Sequence, residues 1–360
     1  MNLQNALRPI LFAAVALSFA INEAALIAAT INTISLRTND LIYDPISGRL
    51  FASVPSSAGV PNGNSIVSIN PFTGAVGSPV FVGSEPGKLA VSDNGQYLYV
   101  GLGGAAQVRR VNLTTMTADL QFSLGSDTLG PYYAEDIEVL PGLPNSIAVS
   151  RRNIGFSPRH EGVAIYDNGV KRPVETPGHT GSNVIEFAGS ASILYGYNNE
   201  TTDFGFRTMA INANGVTITN DASNIISNFG VDIEAEGSRI YSTSGRVVDP
   251  LSSTLLGTFN TSGVIEPDAF NNKMFILAGN NIVPFNLTTF VPLGGNLAVP
   301  GINGNPSDLV RFGSNGLAFR TSGDQVFLIR DPVLVPEPSG ILLATAGVAF
   351  IITRRRRQIA

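Results

Sequence analysis

Between residues 30 and 335 the apolar positions fall in short runs of Val, Ile, Leu, Phe and Tyr, separated by clusters of Gly, Asn, Asp, Pro and Ser. That rhythm reads as strands joined by tight turns. No long stretch repeats at the helical period. One unit is legible throughout. Leu89-Ala90-Val91-Ser92 leads into the turn Asp93-Asn94-Gly95, and Tyr97-Leu98-Tyr99-Val100-Gly101 follows. Gln107 to Val111 makes a third strand, Asn112-Leu113-Thr114-Thr115 a turn, and Leu120 to Leu124 a fourth strand.

The first half of this unit recurs. Its copies begin at residues 41, 89, 137, 184, 233, 268 and 309, which is 35 to 49 residues apart. The sixth copy places Asp268-Ala269-Phe270 before Lys273-Met274-Phe275-Ile276. The turn after the third strand recurs independently, starting at Asn70, Asn112, Asp167, Asn212, Asp249 and Asn286. Asn and Asp suit it because their side chains bond nearby backbone N–H groups and tolerate the left-handed conformation. Four-stranded units of this length, repeated seven times, predict an all-β, seven-bladed β-propeller over 30–332. The seventh unit lacks a fourth strand, and Ile31–Leu36 precedes the first unit without a partner. That segment is expected to supply the missing outer strand and close the ring, which removes two exposed edges.

The two ends break the pattern. Residues 1–29 read as an export signal: Arg8, an apolar run from Pro9 to Ala20, and small Ser18 and Ala20 before a cleavage point, with a second point after Ala28 or Ala29. A buried N-terminal helix is the alternative. Residues 333–360 carry Pro336-Glu337-Pro338, an apolar run from Ile341 to Ile352, and Arg354, Arg355, Arg356 and Arg357 in unbroken order. A helix from Ser339 to Thr353 rises about 22 Å, short of a bilayer core unless arginines snorkel and the bilayer thins. Four arginines mark the cytoplasmic side, so the body lies across the membrane, in agreement with the N-terminal signal.

This tail resembles the PEP-CTERM sorting signal of Gram-negative bacteria. The resemblance covers about 26 residues. It implies an inner-membrane-anchored intermediate, recognition by an exosortase, and delivery to the cell surface or extracellular matrix in a setting of exopolysaccharide production. A plain C-terminal anchor is the alternative. Ser92-Asp93-Asn94-Gly95-Gln96-Tyr97-Leu98-Tyr99-Val100-Gly101 is similar to the YVTN-type propeller repeat. That likeness implies a propeller in a surface-layer or lactonase-like context, and it does not fix chemistry.

Charge and composition narrow the chemistry. Only 14% of residues are charged, and the formal net charge is −5. Residues 30–335 hold 17 basic and 25 acidic residues, so the body stands near −8. No nucleic-acid partner is suggested. With no Cys and two His, thiol catalysis, Cys zinc sites and a multi-histidine metal centre are excluded or nearly so. His160 and His179 lie in long loops with Arg151, Arg152, Arg159, Glu161, Arg172 and Glu175, which reads as an acid–base pair or, the favoured reading, as a solvated charged loop. Glu135 and Asp136, with Ile137-Glu138, and Asp232 and Glu234 sit at the start of a unit's first strand. They are candidate channel acids, or else alternating acids on a solvated strand edge. Calcium is conceivable from oxygen ligands, but the calcium-loop spacing is absent, so no cofactor is expected. No nucleophile elbow, phosphate loop or zinc motif is present.

The expectation is an exported, non-enzymatic propeller that passes through the secretion machinery and binds polysaccharide or a surface protein. The alternative is an extracytoplasmic lactonase-like or other hydrolase, with a channel site drawn from Glu135, Asp136, Asp232 and Glu234.

Overall fold

Each unit folds as it reads because its turn residues close the hairpins themselves. Asn70 Oδ1 accepts the N–H groups of Phe72 and Thr73 at 2.9 and 3.1 Å. Asn112 does the same for Thr114 and Thr115, and Asn286 for Thr288 and Thr289. Asn212 and Asp249 repeat the motif, holding the N–H groups of Asn214 and Leu251. Asp167 departs from it. Its carboxylate takes Ser146 Oγ at 2.6 Å and the Arg172 guanidinium at 2.8 Å.

The computed structural model describes residues 29–330. In it seven four-stranded antiparallel sheets form the blades of a propeller. The inner strands are Asp40–Asp44, Pro86–Val91, Tyr133–Val139, Val184–Phe187, Ile233–Glu236, Val264–Asp268 and Pro306–Phe312, in blades 1 to 7. Each inner strand touches the next, and the last touches the first, so the ring is closed around a channel.

Closure is made as the sequence suggests. Thr30–Ser35 is the outer strand of blade 7 and pairs in antiparallel register with Gln325–Arg330, from Thr30 opposite Arg330 to Ser35 opposite Gln325. The sixth unit corrects the sequence reading. Its inner strand is Val264–Asp268, while Ala269 and Phe270 lie in the following turn and Phe270 is 93% exposed. Pro267 conceals this strand in the sequence. An inner strand is the edge of its sheet, where the missing proline N–H breaks no ladder bond.

No single core exists. Seven apolar clusters each join two adjacent blades. Alternate side chains of one strand serve opposite neighbours. Leu50, Ala52 and Val54 pack toward blade 7, whereas Phe51 of the same strand packs toward blade 2. Every blade therefore depends on both neighbours for burial of its faces, which is the physical reason a repeat ring must close.

Residues 1–28, which the sequence reads as an export signal, and Pro336-Glu337-Pro338, the apolar C-terminal run and Arg354–Arg357 lie outside the described residues. Among the described residues, no helix is long and apolar enough to cross a membrane.

Candidate functional site

The inner strands share a three-residue pattern. A buried aliphatic residue (Leu41, Leu89, Ile137, Ile185, Ile233, Ile265 or Leu309) faces the blade interfaces. Its charged neighbours on the strand take the opposite face, toward the channel, whereas apolar neighbours such as Ala90 and Val184 pack between blades. The preceding residues, in blade order, are Asp40, Lys88, Asp136, Val184, Asp232, Val264 and Asp308. The following ones are Ile42, Ala90, Glu138, Glu186, Glu234, Glu266 and Val310. The result is an upper tier of four Asp and one Lys above a lower tier of four Glu. A cavity of about 160 Å³ runs between them, lined by all of these charged residues except Glu266.

Three of the aspartates accept backbone N–H groups: Asp232 takes that of Ile233 in its own strand at 3.0 Å, and two others each bridge two blades. Asp40 Oδ1 accepts the Leu41 N–H at 3.0 Å, and Oδ2 accepts the Leu89 N–H of blade 2 at 2.7 Å. Asp136 repeats this with Ile137 at 3.0 Å and Ile185 of blade 4 at 2.9 Å. Each carboxylate thus satisfies an edge N–H that no strand covers and stitches two blades together. Asp308, at φ 52°, is engaged by the Arg320 guanidinium. Register shifts bracket Lys88, Glu135 and Asp308 in blades 2, 3 and 7, and such bulges re-aim side chains where the channel opens.

Crowding of carboxylates in a narrow channel favours their neutral form. Burial, with Asp308 adding repulsion, raises Asp40 to about 8, and burial raises Asp136 to about 7. Burial and then the neighbouring acids hold Glu138, Glu186 and Glu234 well above the usual range, and burial raises Glu266 to about 8. Burial works against the Lys88 ammonium, yet Asp40, Asp136, Asp232 and Asp308 together raise its pKa well above the ordinary lysine value. Lys88 is the cation that faces all four upper aspartates.

The structure brings Asp136, Asp232 and Glu234 together in the channel, with Glu138. Glu135 is not among them. It is the bulged residue, turned to the rim, where its Oε1 pairs with Arg159 at 2.6 Å and its Oε2 accepts Asn183 Nδ2 at 3.2 Å. Sequence reasoning passed over Asp40, Lys88, Glu186, Glu266 and Asp308. A signal was available: Asp40, Lys88, Asp136, Val184 and Asp232 recur every 48 residues, each before an aliphatic residue.

His160 also differs from its expected place. It opens the strand His160–Asp167 and is fully buried. Burial, reinforced by Arg207, Arg151 and Arg159, lowers its pKa to about 3, so the imidazole is neutral. Among the described residues, no group of three or more His, Asp or Glu is placed to hold a metal ion.

The upper end of the channel widens into two depressions. One, of about 610 Å³ across blades 5 to 7, holds Asp232 and Asp308 beside Asn228, Phe229, Thr243 and Ser244. Phe229 is 61% exposed, and its ring meets Phe204 edge to face at 5.0 Å. Its loop is pinned: Tyr197 Oη donates to the Asn228 carbonyl at 2.9 Å, and the Gly230 N–H donates to the Asn199 carbonyl at 2.9 Å. The other depression, of about 550 Å³, holds Lys88, Glu135 and Arg152.

No family model matches the chain, and no curated protein matches it. Among solved structures, Kuenenia stuttgartiensis hydrazine synthase is similar at 14% identity and a TM-score of 0.64, covering 83% of this chain and 97% of that one. The Cps50 (Swd1) β-propeller domain of Myceliophteria thermophila is similar at 13% identity and a TM-score of 0.62, covering 84% of this chain and all but 1% of that one, at 99%. At these identities the likeness is one of fold, and the fold is the seven-bladed β-propeller.

Proposed function

We propose that this chain is an exported propeller with a PEP-CTERM-type tail, handled by an exosortase and delivered to the cell surface or matrix, where its channel mouth binds polysaccharide without catalysis. The observation that carries the binding reading is the Phe229 depression. A rigidly held, exposed aromatic ring stands beside two carboxylates, an amide and four hydroxyl side chains. A pyranose offers the complement: an apolar C–H face for the ring and hydroxyls for the polar groups. Phe229→Ala should weaken binding to a glycan array or polymer at least tenfold while lowering the melting temperature by at most a few degrees, because the mostly exposed ring gives up only its edge-to-face contact with Phe204. Equal retention of polymers by wild type and variant would sink the assignment of this mouth. Mass spectrometry of the mature C-terminus tests the tail: a terminus near Pro338 supports sorting, and an intact Arg354–Arg357 run supports a plain anchor.

A hydrolase remains the second reading, on one observation. Burial, with Asp232, Glu266 and Glu138 adding repulsion, raises Glu234 well above the usual carboxylate range, which favours the neutral acid, and a neutral carboxylic acid is a proton donor. Assays on lactones and sugar esters, with and without calcium, separate the two. Turnover abolished by Asp232→Ala would replace the binding reading with the catalytic one.

A further inference from the structure

We infer that the second depression, at blades 2 and 3, is a carboxylate subsite anchored by Arg152, so that the polymer bound at the mouth is an acidic glycan carrying uronate groups. The polymer's identity rests on the glycan-binding reading above, whereas the carboxylate subsite stands on its own geometry.

The argument starts from two adjacent arginines at the end of one strand. Arg151 is spent within the protein. It pairs with Glu175 at 3.0 Å, donates to the Glu161 carbonyl at 2.7 Å and lies over the Tyr132 ring. Arg152 takes the opposite face, as strand alternation demands, and lines the depression. Its side chain makes no hydrogen bond or close ion pair among the described residues and its Nε is buried without a partner, so Glu135 of the same depression reaches it through charge alone. A half-buried guanidinium with unmet donors is costly, and a carboxylate meets its fork with two parallel hydrogen bonds.

The other groups in the depression leave that place open. Glu135 is engaged by Arg159 and Asn183. Glu85 accepts the Ser56 hydroxyl. Asn39 Nδ2 donates to the Pro86 carbonyl at 2.8 Å. Lys88 borders both this depression and the channel. Its positive charge therefore serves both the depression and the aspartates of its own tier. A neutral sugar offers single hydroxyl acceptors, without the negative charge and the paired oxygens that match the guanidinium fork.

The test uses the purified full chain. D-glucuronate and D-glucose serve as small probes, and polyglucuronate and dextran as polymers, with binding read by titration calorimetry. We expect preference for the uronate in both pairs. Arg152→Gln should weaken the uronate at least tenfold, leave the neutral sugar unchanged and lower the melting temperature by at most a few degrees, since the fold loses no hydrogen bond or close ion pair, only a charge attraction to Glu135. Arg152→Lys, which keeps charge without the fork, should fall between. Polymers bound without preference, and unaffected by Arg152→Gln, would overturn the subsite while leaving glycan binding intact. Glucuronate bound through Arg152 with neither polymer retained would keep the subsite and overturn the glycan reading. Absence of all binding would overturn both.

Discussion

Deletion of residues 30–37 abolishes cooperative folding of the propeller at 25 °C: that is the expected result of removing its closing strand. The deletion takes away the six-residue ladder between Thr30–Ser35 and Gln325–Arg330, the Leu36 N–H bond to the Asp324 carbonyl, and the Arg37–Asp324 ion pair at 2.8 Å. The exposed ion pair matters little. Burial matters more. Leu36 is buried in the cluster between blades 7 and 1, where Ile34 packs against it, while Ile31 packs on the cluster between blades 6 and 7. Losing one such aliphatic side chain costs about 2–5 kcal/mol, against a total stability of about 5–15 kcal/mol for a domain. The loss also exposes the strand Gln325–Arg330, whose Val326, Phe327, Leu328 and Ile329 would form an open apolar edge prone to intermolecular pairing. Circular dichroism melts and size-exclusion chromatography should show a broad, early transition and soluble aggregates. Leu36→Ala, which spares the ladder, should cost about 2–5 kcal/mol. A deletion variant that stays monomeric and melts within a few degrees of wild type would mean the ring does not need its clasp.

That closing strand was legible because the signals were local and the remainder was arithmetic. Turn residues such as Asn70, Asn112 and Asn286 act on N–H groups two and three residues away, so the sequence shows them directly. Counting strands then left one unit short and one segment spare. Blade 6 misled for a local reason as well: Pro267 looks like a strand breaker until the strand is known to be an edge. The site was only half legible. Asp136 with Glu138, and Asp232 with Glu234, form visible doublets around an aliphatic residue. Asp40, Lys88 and Asp308 occur singly, and nothing in their own neighbourhoods marks them. The ring brings them together across as many as 268 residues, from Asp40 to Asp308. Arg152 was hidden beside Arg151, since a sequence does not show which of two neighbouring arginines is already satisfied. His160 was hidden by its charged neighbours, whose guanidiniums surround it without exposing it.

Lys88→Met should reverse its effect with pH, and this follows from the channel's charge. Met keeps an unbranched apolar stem of similar length, so the change removes the ammonium with little loss of packing. In the wild type, Asp136 at about 7 and Asp40 and Glu266 at about 8 lie above their unfolded values. Groups raised in this way contribute stability that is fully present below the unfolded pKa and lost as pH rises through the folded one. The wild-type melting temperature should therefore fall as pH rises from about 4 to about 8 and level off above that. Lys88 moderates that fall, because its charge favours the ionised forms of Asp40 and Asp136. Without it, ionisation of the upper tier goes uncompensated, and the variant should lose about 3–5 kcal/mol at pH 9, the usual cost of removing one partner from a buried charge cluster. Near pH 5 the balance inverts. The raised carboxylates are protonated, the wild-type ammonium has lost much of its counter-charge, and Met in its place should be neutral or stabilising. Thermal melts of the two proteins at pH 5, 7 and 9 decide the matter. Curves that cross between pH 5 and pH 9 are expected. A constant offset at every pH would show that Lys88 acts by packing alone and that the channel acids do not titrate as a coupled ring around it.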